Sequence, residues 1–113
     1  MAKRVLVCGG RDYGDFGRVD LVLREIQPDM VIHGGYRGAD SLANRWAAYN
    51  DVPCLRVPAK WMTHRKAAGP IRNAQMLELG QPTLVVAFPG GDGTADMVAK
   101  ARAAGVPVME VSE

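Results

Sequence analysis

The sequence predicts an α/β protein: a three-layer sandwich of helix, sheet and helix around a five-stranded parallel sheet of order 3-2-1-4-5. Three observations carry this. Five short apolar runs alternate with amphipathic stretches, the runs are continuous rather than alternating, and turn residues bound each of them. Continuous apolarity suits strands covered on both faces, as parallel strands are. Right-handed crossovers between such strands then place helices on both sides of the sheet.

The runs are Val5–Cys8, Met30–His33, Cys54–Val57, Leu84–Phe88 and Val106–Val111. Pro28, Pro53, Pro82 and Pro107 come just before or at the start of the later runs, where a helix has to stop. Between the runs, apolar residues recur at helical spacing. Val19, Val22, Leu23 and Ile26 share one face of a first helix. Leu42, Ala43, Trp46 and Ala47 mark a second, Ile71, Ala74 and Leu77 a third, and Met97, Val98 and Ala101 a fourth. Pro58 to about Ala68 is expected to be the longest irregular segment.

The 113 residues fit one domain, with no repeat, linker or low-complexity tract. A hydrophobic content of 48% with 23% charged residues excludes a wholly disordered chain. The net charge of +2, from 14 basic and 12 acidic residues, argues against a broad nucleic-acid surface. No apolar run approaches the roughly 20 residues of a membrane span, and Val5–Cys8 is too short for a signal-peptide core. The expectation is a cytoplasmic protein with no membrane partner. Cys8 and Cys54 fall at opposite ends of their strands, which argues against a disulfide. His33 and Cys8 end adjacent strands, but two ligands make no metal site, so no metal is assigned.

In an open α/β sheet, ligands bind beyond the carboxyl ends of the strands, where the winding reverses. Three glycine clusters fall on that edge. They are Gly9-Gly10-Arg11-Asp12 after the first strand, Gly34-Gly35-Tyr36-Arg37-Gly38-Ala39-Asp40 after the second, and Pro89-Gly90-Gly91-Asp92-Gly93-Thr94 after the fourth. Glycine lets a ligand approach the backbone closely, and helix N-termini following such loops aim free N–H groups at it. That combination suits phosphate. Arg11, Arg37 and Arg72 add forked donors. No Gly-Lys-Ser/Thr follows any loop, and the first lacks the later glycines of a dinucleotide fingerprint. Asn73 follows Arg72 at the start of the third helix, on the same edge. Asp40 either caps the second helix or binds a ribose hydroxyl. Trp61, Tyr13 and Tyr36 are candidates for stacking on a base. Trp46, at helical spacing, reads as core or interface, and His64 with Arg65 and Lys66 as a basic turn.

The loop Pro89-Gly90-Gly91-Asp92-Gly93-Thr94 resembles the Pro-Gly-Gly-x-Gly-Thr loop of the SLOG superfamily, and Gly34 to Asp40 resembles its other phosphate loop. The superfamily includes the LONELY GUY phosphoribohydrolases and, more distantly, the DNA-processing protein DprA. The short bacterial and phage branch related to YpsA is more similar. Its pattern is seen in Gly10-Arg11-Asp12-Tyr13, Pro58-Ala59-Lys60-Trp61, and Ala68-Gly69-Pro70-Ile71-Arg72-Asn73.

The resemblance implies a Rossmann-like domain that binds a nucleotide or nucleotide sugar as a sensor or carrier. Two alternatives follow from it: a nucleoside monophosphate phosphoribohydrolase, or a DNA-binding module. In the first, Arg72 and Asp96 would be catalytic. The LONELY GUY loop continues to a Glu whose place is taken here by Met97, and Asp96 lies one residue earlier, about 100° around the helix. No cofactor is required, and Mg²⁺ enters only as the companion of a polyphosphate. The resemblance and the small size both suggest a homodimer or higher homo-oligomer.

Overall fold

Residues 2–112 are described by a computed structural model. Strand β1 spans Arg4–Cys8 and leads into helix α1, Phe16–Ile26. Strand β2 (Met30–His33), helix α2 (Ala39–Tyr49) and strand β3 (Cys54–Arg56) follow. Next come a short helix α3 (Trp61–His64), a 3₁₀ turn (Arg65–Ala67) and helix α4 (Ala68–Gly80). Strand β4 (Leu84–Ala87), helix α5 (Asp92–Ala103) and strand β5 (Val108–Glu110) complete the chain. All strand pairs are parallel and the order is β3-β2-β1-β4-β5, as expected from the sequence.

The apolar runs of the central strands β1, β2 and β4 are continuous because these strands feed two cores. Val5, Val7, Val31 and Val86 point into one, closed by Val19 and Leu23 of α1 and by Ala43, Trp46 and Ala47 of α2. Leu6, Cys8, Ile32 and Val85 point into the other, under Met76 of α4 and Met97, Val98 and Ala101 of α5. Side chains alternate across each strand, so neighbours such as Val5 and Leu6 serve opposite layers. Trp46 belongs to the first core, 3% exposed, and its indole N–H donates to Asp20 Oδ1 at 3.0 Å. Asp15 caps α1 by accepting from the Arg18 amide at 3.0 Å. Among the described residues no helix is long and apolar enough to cross a membrane.

Two expectations need correcting. The segment from Pro58 to Ala68 is not irregular throughout, since α3 and the 3₁₀ turn occupy residues 61–67. Arg65, with φ of 53°, separates the two turns from a continuous helix. The inward face of α4 is only in part the one its aliphatic residues suggest, since Leu77 packs against the second core. Ala68, Asn73, Met76 and Gly80 are buried while Ala74 is exposed. The N-terminal half of α4 borders the crevice at the sheet edge, so a polar residue turns inward there.

The winding reverses between β1 and β4. Their C-terminal ends pair side by side, Cys8 opposite Ala87. The loops that leave β1, β2 and β4 therefore meet at one place.

Candidate functional site

The three glycine loops pack as one unit. The Gly10 amide donates to Pro89 O at 2.8 Å, and the Ala39 amide donates to Gly10 O at 3.1 Å. Gly38 has φ of 79°, and a side chain there would run into the carbonyls of Gly10 and Arg11. At Gly90 a Cβ would lie 2.6 Å from the Gly10 amide nitrogen. These two glycines therefore serve contact between loops.

A cavity of about 440 Å³ opens above this unit. Its wall takes Gly9, Gly10 and Arg11 from the first loop and Arg37 and Asp40 from the second. Gly91, Gly93 and Thr94 come from the third, Trp61 from α3, and Arg72 and Asn73 from α4. The other sequence candidates lie off the wall. Asp12 pairs with Arg37 across 3.5 Å in an exposed position, and Gly34, Gly35, Gly38, Pro89 and Gly90 shape the loops behind it. Asp96 is not on the wall either. Tyr13, weighed as a base contact, packs instead on Phe88, ring centroids 5.3 Å apart.

Cys8, Tyr36, Gly69, Met76 and Asp92 also line the cavity. The α4 members could have been found in the sequence. Gly69, Arg72, Asn73 and Met76 stand at i, i+3, i+4 and i+7, which is one stripe of a helix.

Helix α2 starts from Gly38 and α5 from Gly91, and neither N-terminus has a side-chain cap. The positive ends of both helix dipoles thus lie at the cavity. Arg11 and Arg37 add formal charge to the same wall.

Arg72 acts partly as a clasp. Its Nη1 donates to Gly34 O at 2.8 Å and its Nε to Asn73 Oδ1 at 3.1 Å. Asn73, 3% exposed, passes the connection on. Its Nδ2 donates to Gly93 O at 3.2 Å and to Asp96 Oδ2 at 3.0 Å. Lys100 Nζ meets Asp96 Oδ1 at 2.6 Å. Burial alone would raise the Asp96 carboxyl, but Lys100 and Asn73 outweigh it and hold its pKa below the usual value. The second and third glycine loops are thereby tied to one helix.

The other buried polar groups have defined states. Burial pushes Asp40 up to about 6, opposed by the Arg72 charge and by the amides of Tyr36 and Gly34. Asp40 does not act as a conventional N-cap; its Oδ2 accepts from the Tyr36 amide at 3.3 Å, ahead of the helix. Burial, with the Asp40 charge beside it, pushes the Cys8 thiol up to about 12, so it stays protonated. His33 Nδ1 accepts from the Gly35 amide at 2.9 Å, which leaves Nε2–H to donate to Asn44 Oδ1 at 3.0 Å. Burial lowers its pKa, consistent with this neutral tautomer. Among the described residues no three His, Cys, Asp or Glu side chains gather as a metal site.

A family model for the YspA, cpYpsA-related SLOG family matches residues 3–64. That stretch carries the first two glycine loops and Trp61. The Gene 61 protein of Mycobacterium phage D29 is 36% identical over 124 aligned residues, spanning 98% of each chain.

Proposed function

Because this chain belongs to the YspA, cpYpsA-related SLOG family, we propose that it binds a nucleotide or nucleotide-derived ligand in the crevice, as a sensor or carrier. The observation that carries this reading is the convergence of two uncapped helix N-termini on one cavity walled by Arg11 and Arg37. Each dipole end favours an anion by about 0.3–1 kcal/mol when exposed, and by more when partly enclosed. Backbone amides at the starts of α2 and α5 hold phosphate, and the arginines neutralise it. The cavity volume of about 440 Å³ falls within the range of small-molecule pockets.

The phosphoribohydrolase alternative has less support. Asp96 is off the cavity wall and is engaged by Lys100 and Asn73. With Oδ1 held by Lys100 and Oδ2 by Asn73, its carboxylate is turned away from service as a general base or as the stabiliser of an oxocarbenium-like centre.

The test is thermal shift against mono-, di- and cyclic nucleotides and ADP-ribose, with mass spectrometry of the recovered ligand. A ligand at 100 times its Kd stabilises the fold by about 2.7 kcal/mol. Stabilisation by a nucleotide recovered intact is expected. Release of free base over time would replace a sensor by an enzyme, and no stabilisation by any of these compounds would overturn the reading.

A further inference from the structure

Trp61 and Tyr36 line the cavity yet remain 47% and 42% exposed. Their ring centroids lie 6.1 Å apart with planes tilted by 47°. The chain's other tryptophan, Trp46, is 3% exposed with its N–H satisfied by Asp20. One tryptophan is thus spent on the core, and the other leaves much of its surface open beside the cavity.

We infer that Trp61, buttressed by Tyr36, is the base-recognition wall of the crevice, so that its ligand is a nucleoside 5′-phosphate with the base stacked on the indole. This rests on the nucleotide reading above and adds to it where the base lies and what recognises it.

The spacing along α4 supports it. The indole Cη2 lies 3.7 Å from where a Gly69 side chain would begin, while Asn73 donates to Gly93 O at the start of α5. Gly69 and Asn73 are one turn apart, about 6 Å along the helix axis. The aromatic wall and the α5 N-terminus therefore adjoin successive turns of α4 on one cavity, so a ligand that reaches both joins an aromatic ring to an anion.

Local charge fits the same ligand. No acidic residue occurs between Asp51 and Glu78, while Arg56, Lys60, Arg65, Lys66 and Arg72 fall in that stretch. The tryptophan is carried on a cationic segment suited to a ligand that pairs an aromatic ring with negative charge.

The experiment is calorimetric titration of AMP and of ribose 5-phosphate into the wild type, Trp61→Phe and Trp61→Ala. Melting curves and light scattering would check fold and mass. The wild type is expected to bind AMP at least ~10-fold more tightly than ribose 5-phosphate. Trp61→Ala should lose most of that advantage and Trp61→Phe keep most of it, with ribose 5-phosphate binding alike in all three. AMP should also quench the fluorescence of a Trp46→Phe protein, in which Trp61 is the sole tryptophan.

Equal wild-type affinity for the two ligands would overturn this inference and leave the phosphate site standing. A Trp61→Ala protein that changes oligomeric mass but keeps the AMP advantage would also overturn it, making Trp61 a subunit contact. If neither AMP, GMP, CMP nor ribose 5-phosphate binds, this inference fails, whereas the nucleotide reading fails only when di- and cyclic nucleotides and ADP-ribose do not bind either.

Discussion

Asn73 Nδ2 lies 3.0 Å from Asp96 Oδ2, so a buried amide on α4 holds the first two turns of α5 in place. The same nitrogen reaches Gly93 O at 3.2 Å, and the side-chain oxygen accepts from Arg72, which in turn holds Gly34 O. Asn73→Ala removes three hydrogen bonds and leaves Gly93 O and Arg72 Nε without these partners. A loss of about 1–3 kcal/mol is expected in urea unfolding, the range for orphaned polar groups. Nucleotide affinity should fall as well, because the spacing between the β2 and β4 loops is no longer fixed. A variant with unchanged stability would show that solvent replaces the amide.

Much of this arrangement is legible in the sequence, and the rest is hidden for identifiable reasons. The central strands β1, β2 and β4 can be read because both faces of each are covered, which makes Val5 to Cys8 apolar without a break, whereas the edge strands β3 and β5 are shorter and partly exposed. The glycine loops can be read because positions such as Gly38 leave no room for a side chain. Helix α3 is hidden because Trp61 and Met62 are both exposed and set no apolar period. The inward face of α4 is not marked by apolar spacing because Asn73 is polar, and its burial depends on Arg72 beside it and on Gly93 and Asp96 of α5. Asp40 reads locally as a cap, and only the fold shows it turned back towards the loop before its own helix.

Asp40 and Asp96 should respond to pH with opposite signs. Burial raises Asp40 from 3.8 to about 6, so its contribution to stability is complete below 3.8 and lost as the pH rises through about 6. The span corresponds to roughly 3 kcal/mol. Asp40→Asn should therefore gain on the wild type as the pH is raised through this window, whatever constant offset its hydrogen bonds impose. Asp96, whose pKa is lowered, contributes above its unfolded value and loses that contribution as the pH falls through its folded one. Asp96→Asn should be the weaker protein at neutral pH and converge with the wild type in acid. Melting temperatures measured from pH 3 to 8 check both, and parallel curves for Asp40→Asn and the wild type would refute the first.

The two thiols should differ sharply in reactivity. Cys8 lines the cavity but is 7% exposed, and burial together with Asp40 pushes its pKa up to about 12. Cys54 is exposed on the edge strand β3. Iodoacetamide at neutral pH should modify Cys54 and leave Cys8 intact until the protein is unfolded, since the thiolate is the nucleophile. Peptide mass mapping reads the order, and early labelling of Cys8 would mean that the crevice opens more widely than this packing allows.

Two glycines separate loop architecture from ligand contact. At Gly38 a methyl group meets the Gly10 and Arg11 backbone under a φ of 79°, so Gly38→Ala should cost more than about 1–3 kcal/mol. Gly93 lines the cavity within the first turn of α5, and a methyl there meets nothing within 4 Å. Helix propensity favours alanine over glycine by about 0.5–1 kcal/mol, so Gly93→Ala should be as stable as the wild type or more so. A phosphate approaching the α5 amides would still meet the added methyl, and nucleotide binding should weaken by about tenfold, the equivalent of 1.4 kcal/mol. Paired melting and titration of this variant bears directly on the phosphate site. Full affinity in a stable Gly93→Ala protein would move the ligand away from α5, while a stable protein that no longer binds would fix its phosphate against that helix.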